Sequence, residues 1–244
     1  MKHAFTLFAL AVCLCIGLAA QAPQGGQAAK TAPRTDVYHV HFNKAVAGQA
    51  AALGERLRTP DPKAPMPGHM LVLRHQEGDD WDYCVIEHLG PTATVDTSPS
   101  PDTPAMRDQS AWHTDTFVAG PPWAEFARAM GLDASAAAGG RPIYIVGVQR
   151  ALPGHRDQLE QLLRNPGASK VPTGNVVLQH LEGGPWNFLT IQRYNSWSDL
   201  ATDRTATTAD TGTGGRWNDI RMHAAWHHDT IADRLNVATA ATGR

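Results

Sequence analysis

The sequence predicts an α+β fold made of two copies of one unit, and three observations carry that prediction. Ala111-Trp112-His113-Thr114-Asp115-Thr116 returns as Ala225-Trp226-His227-His228-Asp229-Thr230, with only the fourth position changed. The stretches upstream also align. A shift of 106 turns Val37-Tyr38 into Ile143-Tyr144, Gly48 into Gly154, and Leu53 and Leu57 into Leu159 and Leu163. A shift of 105 turns His75-Gln76-Glu77-Gly78 into His180-Leu181-Glu182-Gly183. Finally, each unit reads as strand, helix, strand, strand, helix from its hydrophobic periods.

In the first unit, Asp36 to Asn43 alternates as a strand, with Tyr38, Val40 and Phe42 on one side and Val37, His39 and His41 on the other. Gly48 precedes a helix reaching about Arg58, whose Leu53 and Leu57 share a face. Pro60, Pro62, Pro65 and Pro67 end it in a rigid turn. His69 to His75 and Trp81 to His88 are two strands joined by the turn Glu77-Gly78-Asp79-Asp80. Gly90 to Pro104 is a polar, proline-rich loop, matched in the second unit by Thr202 to Gly215; each is a surface insertion or the rim of a site. Met106 to Val118, which carries the Trp-His motif, is expected to be a helix, and Trp123 to Met130 another.

The segment 1–22 is expected to be a signal peptide: Phe5 to Ala20 is apolar, too short to span a membrane comfortably, and small residues follow. Residues 23–35 are a flexible leader, 36–133 the first repeat, 134–141 a linker and 142–244 the second repeat. The expected location is secreted or periplasmic, with no membrane association after cleavage. Cys13 and Cys15 leave with the signal, so Cys84 alone remains, as a buried inert thiol in a strand, and no internal disulfide can form. The formal charge of −2 gives no basic surface for nucleic acid. No Gly-rich phosphate loop, nucleophile elbow, zincin motif or cysteine cluster occurs.

The element order, the Pro-Gly start of the helix in Leu152-Pro153-Gly154-His155, the paired middle strands and the duplication resemble the dimeric α/β-barrel superfamily of ferredoxin-like domains, over about residues 36–118 and 142–235. The resemblance implies tandem ferredoxin-like repeats whose two antiparallel sheets form an α/β-barrel-like core around a cavity. The unit of that superfamily ends in a fourth strand, and none is evident after either Trp-His segment. Relatives implied by the resemblance include cofactor-free monooxygenases of the antibiotic-biosynthesis type, polyketide cyclases, and haem-using peroxidases and chlorite dismutases.

The face with Tyr38, Val40 and Phe42, matched by Tyr144, Val146 and Val148, is expected to carry the helices. The other face, with His39 and His41 in the first unit but Ile145 and Gly147 in the second, would line an asymmetric cavity. His39-x-His41 places two imidazoles about 7 Å apart along one strand face. They could share a metal, Cu or Zn, with His113, His75 or Glu87 as a further ligand. Polar histidines on a half-exposed strand are the simpler account. His113 and His227 are either scaffold, retained in both units, or acid/base groups or axial haem ligands.

The catalytic candidates are therefore His39, His41, His113 and His227, with no cofactor or a haem, and less readily Cu or Zn. The expected protein is an exported binder of an apolar small molecule, oxygenase- or cyclase-like or haem-dependent, as monomer or homodimer. One alternative is a non-catalytic periplasmic stress-associated or interaction protein with a filled cavity. Another is a histidine-based metal-binding protein.

Overall fold

The computed structural model describes residues 33–93, 109–133, 141–165, 167, 169–208 and 215–235. The expected signal peptide, most of the leader, most of the 90–104 loop and nearly all of the linker lie outside them. All of the described residues belong to the unit Ala32–Arg244.

Eight strands form one closed antiparallel barrel: β1 (Asp36–Ala45), β2 (Met70–Glu77), β3 (Tyr83–Pro91), β4 (Ser110–Gly120), β5 (Ile143–Ala151), β6 (Gly174–Glu182), β7 (Phe188–Tyr194) and β8 (Ala224–Arg234). Around the ring the order is β1-β3-β2-β8-β5-β7-β6-β4, so that β4-β1-β3-β2 in the first half matches β8-β5-β7-β6 in the second. Among the described residues five helices accompany them: α1 (Ala50–Leu57), α2 (Trp123–Met130), α3 (Arg156–Arg164), α4 (Trp197–Thr208) and α5 (Arg216–His223). Among the described residues no helix is long and apolar enough to cross a membrane.

Contrary to expectation, the Trp-His motif is not helical. Its two copies lie in β4 and β8, the fourth strands that the sequence leaves without an evident place. The composition is that of a strand, with Trp, Thr, Phe and Val in quick succession. On the inner side of β4 Trp112, Thr114 and Thr116 precede Val118, and of those three only Thr116 is buried, so the usual apolar alternation is hidden. The expected loop from Thr202 is also corrected, since α4 continues through Thr208. The two expected facing sheets are one continuous closed sheet.

The faces are reversed from expectation. Tyr38, Val40, Phe42, Tyr144 and Val146 meet inside the barrel in a single cluster with Trp81 and Trp186. The helices cover the outside. Leu53 and Leu57 of α1 pack on Val72, Tyr83 and Val85. Leu159 and Leu163 of α3 pack on Val177 and Phe188. Leu200 of α4 packs on Ile143, Ile145 and Tyr194. The exception is α2, which sends Phe126 and Met130 into the interior cluster. Tyr38 and Tyr144 hold that helix at both ends, donating hydrogen bonds to the carbonyls of Pro121 (2.6 Å) and Met130 (2.9 Å). Cys84 is inside and fully buried, and burial pushes its thiol far above its ordinary pKa, as expected of an inert thiol.

The halves join at two seams, β2–β8 and β4–β6, each with a register shift. At each seam a hairpin glycine with positive φ lies flush on the motif strand of the other half. A Cβ on Gly78 would meet the Asp229 carbonyl at 2.6 Å and Thr230 Cα at 2.8 Å. A Cβ on Gly183 would meet the Asp115 carbonyl at 2.3 Å and Thr116 Cα at 3.0 Å. The Asp79 amide also donates to Thr230 Oγ1 at 3.3 Å. Gly183→Ala and Gly78→Ala should therefore each destabilise the fold by about 2–4 kcal/mol through clash and backbone strain. In a thermal melt that is a drop on the order of 5–15 °C for a domain of this size. A neutral result at both positions would refute the close fit of the seams.

Candidate functional site

Between α1, the proline-rich segment after it and the outer faces of β1, β3 and β4 lies a cleft of about 1070 Å³. Leu57, Met66, Met70, Val85 and Leu89 make part of its lining apolar. Two histidine clusters also line it, on different faces of the sheet.

The first cluster follows from strand alternation. Antiparallel pairing sets His39 opposite Glu87 on β3 and Phe117 on β4, and His41 opposite Val85 and Asp115. The His39 and His41 rings stack with centroids 4.7 Å apart. His39 is buried and bridges two carboxylates: Nδ1 lies 3.4 Å from Glu87 Oε2, and Nε2 lies 3.1 Å from Asp115 Oδ1. Burial alone would lower the His39 pKa, but the hydrogen bonds to Asp115 and Glu87 outweigh it and raise it to about 9. Burial likewise raises Glu87, yet His39 and His41 against it hold it down to about 2. The His39 hydrogen bond also lowers Asp115. His41 Nε2 stands 3.7 Å from Glu87 Oε2, beyond hydrogen-bond range, and has no hydrogen-bond partner among the described residues. Asn43 lies 3.4 Å from its Nδ1. His113 Nε2 approaches Asp115 Oδ2 at 3.3 Å from the rim.

The second cluster has no counterpart among the sequence expectations. His88 Nε2 lies 2.7 Å from Asp36 Oδ2, which also accepts the Trp123 amide at 3.1 Å. His88 Nδ1 and His69 Nδ1 are 3.1 Å apart. Ionised Asp36 can only accept, so His88 carries its proton on Nε2 and accepts at Nδ1 from His69. His69 then keeps the lone pair of its Nε2. Its ring stacks on Trp123 with centroids 4.6 Å apart and planes 8° apart. Burial lowers the pKa of both histidines, and for His88 this outweighs the pull of Asp36. The cluster joins residues from the start of β1, the approach to β2, the end of β3 and the start of α2. No motif links these positions.

Of the four catalytic candidates, the structure brings His39, His41 and His113 to one cleft, and Glu87 with them. It places His227 elsewhere, opposite Gln149 on the outer face of the other half. The corresponding surface there is not a second copy of the cluster. Ile145 replaces His39 and is covered by α4. A Cβ on Gly147, which replaces His41, would meet Thr190 Oγ1 at 2.5 Å and Asp229 Oδ1 at 2.7 Å. Haem ligation between the sheets does not fit. His113 and His227 lie on the outer faces, and the interior holds Tyr38, Phe126, Trp186 and their neighbours. His180, beside the second hairpin, accepts the Gly184 amide at 2.9 Å and so ties the end of its strand to the turn.

No protein-family model matches the chain, and no curated protein matches it. Solved structures share the fold, two of them as follows. An anthrone oxidase-like protein has a TM-score of 0.58 at 12% identity, over 87% of this chain and 98% of the other. A protein described as a candidate monooxygenase from Lactobacillus acidophilus NCFM has a TM-score of 0.50 at 7% identity, over 82% and 94%. At these identities the likeness is one of fold: the α+β barrel architecture is common to this chain and both proteins.

The His39 bridge yields a pH prediction. Its folded pKa is raised, so its stabilising contribution is complete below about pH 6.5 and lost as pH rises through about 9. In Asp115→Asn the His39 titration, followed by NMR in metal-free protein, should fall by about 1–3 pH units. An unchanged midpoint would show that Asp115 does not hold the charge on His39.

Proposed function

We propose that this protein is an exported oxygenase-like enzyme acting on a largely apolar organic molecule bound in the outer cleft. Two fused copies of a ferredoxin-like unit form its scaffold. The observation that carries the reading is the chain Asp36–His88–His69, which runs from a buried carboxylate to an imidazole on the cleft wall. His69 Nε2 takes a proton from an acidic C–H of the ligand. The imidazolium that forms is stabilised through His88 by Asp36 and by the face of Trp123. The carbanion left behind passes electrons to dioxygen, the co-substrate of this reaction. One oxygen atom becomes the carbonyl of the product and the other leaves as water with the two hydrogens of the original CH2. The apolar lining from Leu57, Met66 and Met70 supports an aromatic ligand, and His39, His41 and His113 form the polar wall that orients it.

The filled barrel interior supports the non-catalytic alternative on one point: side chains such as Tyr38, Phe126 and Trp186 occupy the space inside the barrel. The cleft offers a separate place for a ligand, so the two readings divide on turnover. Anthrone, which gives one structural neighbour its name, is the first probe, with oxygen uptake as the readout. His69→Gln should lower kcat by about 10²–10⁴-fold with KM and melting temperature little changed, as loss of a general base does. Saturable anthrone binding without oxygen uptake in the native protein would favour the non-catalytic binder. Uptake unaffected by the substitution would remove His69 from the mechanism. Periplasmic or secreted location is tested by fractionation and by the mass of the mature chain, which should lack about the first 22 residues.

A further inference from the structure

We infer that His39, His41 and Glu87 form a three-ligand site for one divalent transition-metal ion of the Zn²⁺ type, with its open position facing the cleft. The site rests on the first histidine cluster and is independent of the acid–base chain at His69.

The first support is spacing. Ligand atoms from the three side chains all lie within 4.8 Å of one another. Glu87 Oε2 is 3.4 Å from His39 Nδ1 and 3.7 Å from His41 Nε2. Ligand atoms about 2.0–2.1 Å from a tetrahedral metal stand about 3.4 Å apart, so these pairs need to move only a few tenths of an ångström to share an ion. Both separations are long for hydrogen bonds, and that of His41 is too long to be one.

The second support is the state of His41. Its Nε2 is buried beside a carboxylate and makes no hydrogen bond among the described residues. A buried polar atom left so costs free energy, and a metal would satisfy it where its present neighbour does not.

The third support lies behind the ligands. A ligating histidine usually donates its other ring N–H to a carboxylate or carbonyl, which fixes the ring and strengthens the ligand. His39 already has this partner, with Nε2 3.1 Å from Asp115 Oδ1. Asn43 stands 3.4 Å from His41 Nδ1, and with its amide oxygen turned inward it would accept from that nitrogen. The ligand types also agree. Two imidazoles and one carboxylate suit Zn²⁺ and its neighbours and resemble neither a calcium nor a magnesium site. Glu87 and Asp115 together balance the ion's two charges.

The site belongs to one half only. At the corresponding positions the second half has Ile145, Gly147 and Gln192, and cannot offer the same ligands. One ion per chain is therefore the expected stoichiometry.

The test uses the mature protein freed of metal with a chelator and titrated with Co²⁺, with Zn²⁺ as competitor. We expect one Co²⁺ per chain, displaced by Zn²⁺, with a visible absorption spectrum of low coordination number. His41→Ala and Glu87→Gln should each weaken binding more than 100-fold, and Asp115→Asn by about 10–100-fold. His69→Gln should bind Co²⁺ as the native protein does, which separates failure of this site from failure of the proposed reaction. Thermal melts check that each variant is folded. Paramagnetic NMR shifts of the His39 and His41 ring protons in native protein give a readout that needs no variant. Absence of saturable binding at one equivalent, unshifted ring protons, or native affinity in folded His41→Ala and Glu87→Gln would each overturn the site.

Discussion

Closure of the barrel depends on two glycines lying against the backbone of the opposite half. Gly78 sits on Asp229 and Thr230, and Gly183 sits on Asp115 and Thr116. At each contact any side chain would hold the strands apart, and both glycines have positive φ, which other residues rarely adopt. The seams they close are short, and each is interrupted by a register shift. Once the seams are shut, the inward faces of both halves have one solution, a shared apolar core from Tyr38 to Ala232. The ionisable side chains His39, His41 and Asp115 of β1 and β4 are then turned outward, toward α1 and the segment that follows it.

This explains why the Thr that ends the Trp-His motif occurs in both halves. Thr116 and Thr230 are buried beneath the opposite hairpins, and the backbone of each preceding Asp supplies the contact surface. The repeated part of the motif serves closure on its inner face. On the outer face the two copies differ in surroundings: Asp115 faces His39 and His113, whereas Asp229 lies beside Gly147 and Thr190. A single strand thus carries scaffold on one side and, in one half only, an ionisable cluster on the other.

Much of this fold is legible in the sequence. β1, α1, β2, β3, β5 and α3 follow from alternation, from the Leu53/Leu57 spacing and from the proline and glycine turns, because most of their buried positions are apolar. The motif strands are not legible, because the inner side of β4 between Trp112 and Val118 carries only Thr114 and Thr116, and a threonine carries no sign of which face it takes. Reading those strands as helices has two consequences. Without a fourth strand the barrel cannot close, so the apolar face of β1 goes to the helices instead of the interior. The end of the barrel cannot be drawn either, so Asp36, His69, His88 and Trp123 have no reason to meet. Their proximity follows once Gly120, the end of β4, is set opposite Asp36. His39 and His41 are legible from their unequal counterparts alone, and Glu87 from its place one strand over.

The first histidine cluster is hard to explain as a stabilising device. Removing two histidines and most of a carboxylate, Glu87, from water is costly, and their mutual attraction returns that cost only with good geometry. Here the geometry is mediocre: separations of 3.4 and 3.7 Å, and a buried nitrogen on His41 with no hydrogen bond among the described residues. The second half shows what the same fold does without such a cluster. There Ile145 packs under Leu200 of α4, and the site of His41 is a glycine filled by neighbouring side chains. The barrel therefore has an apolar solution for this face and uses it once. A half that departs from that solution at the floor of a cleft is best understood through what the departure can bind.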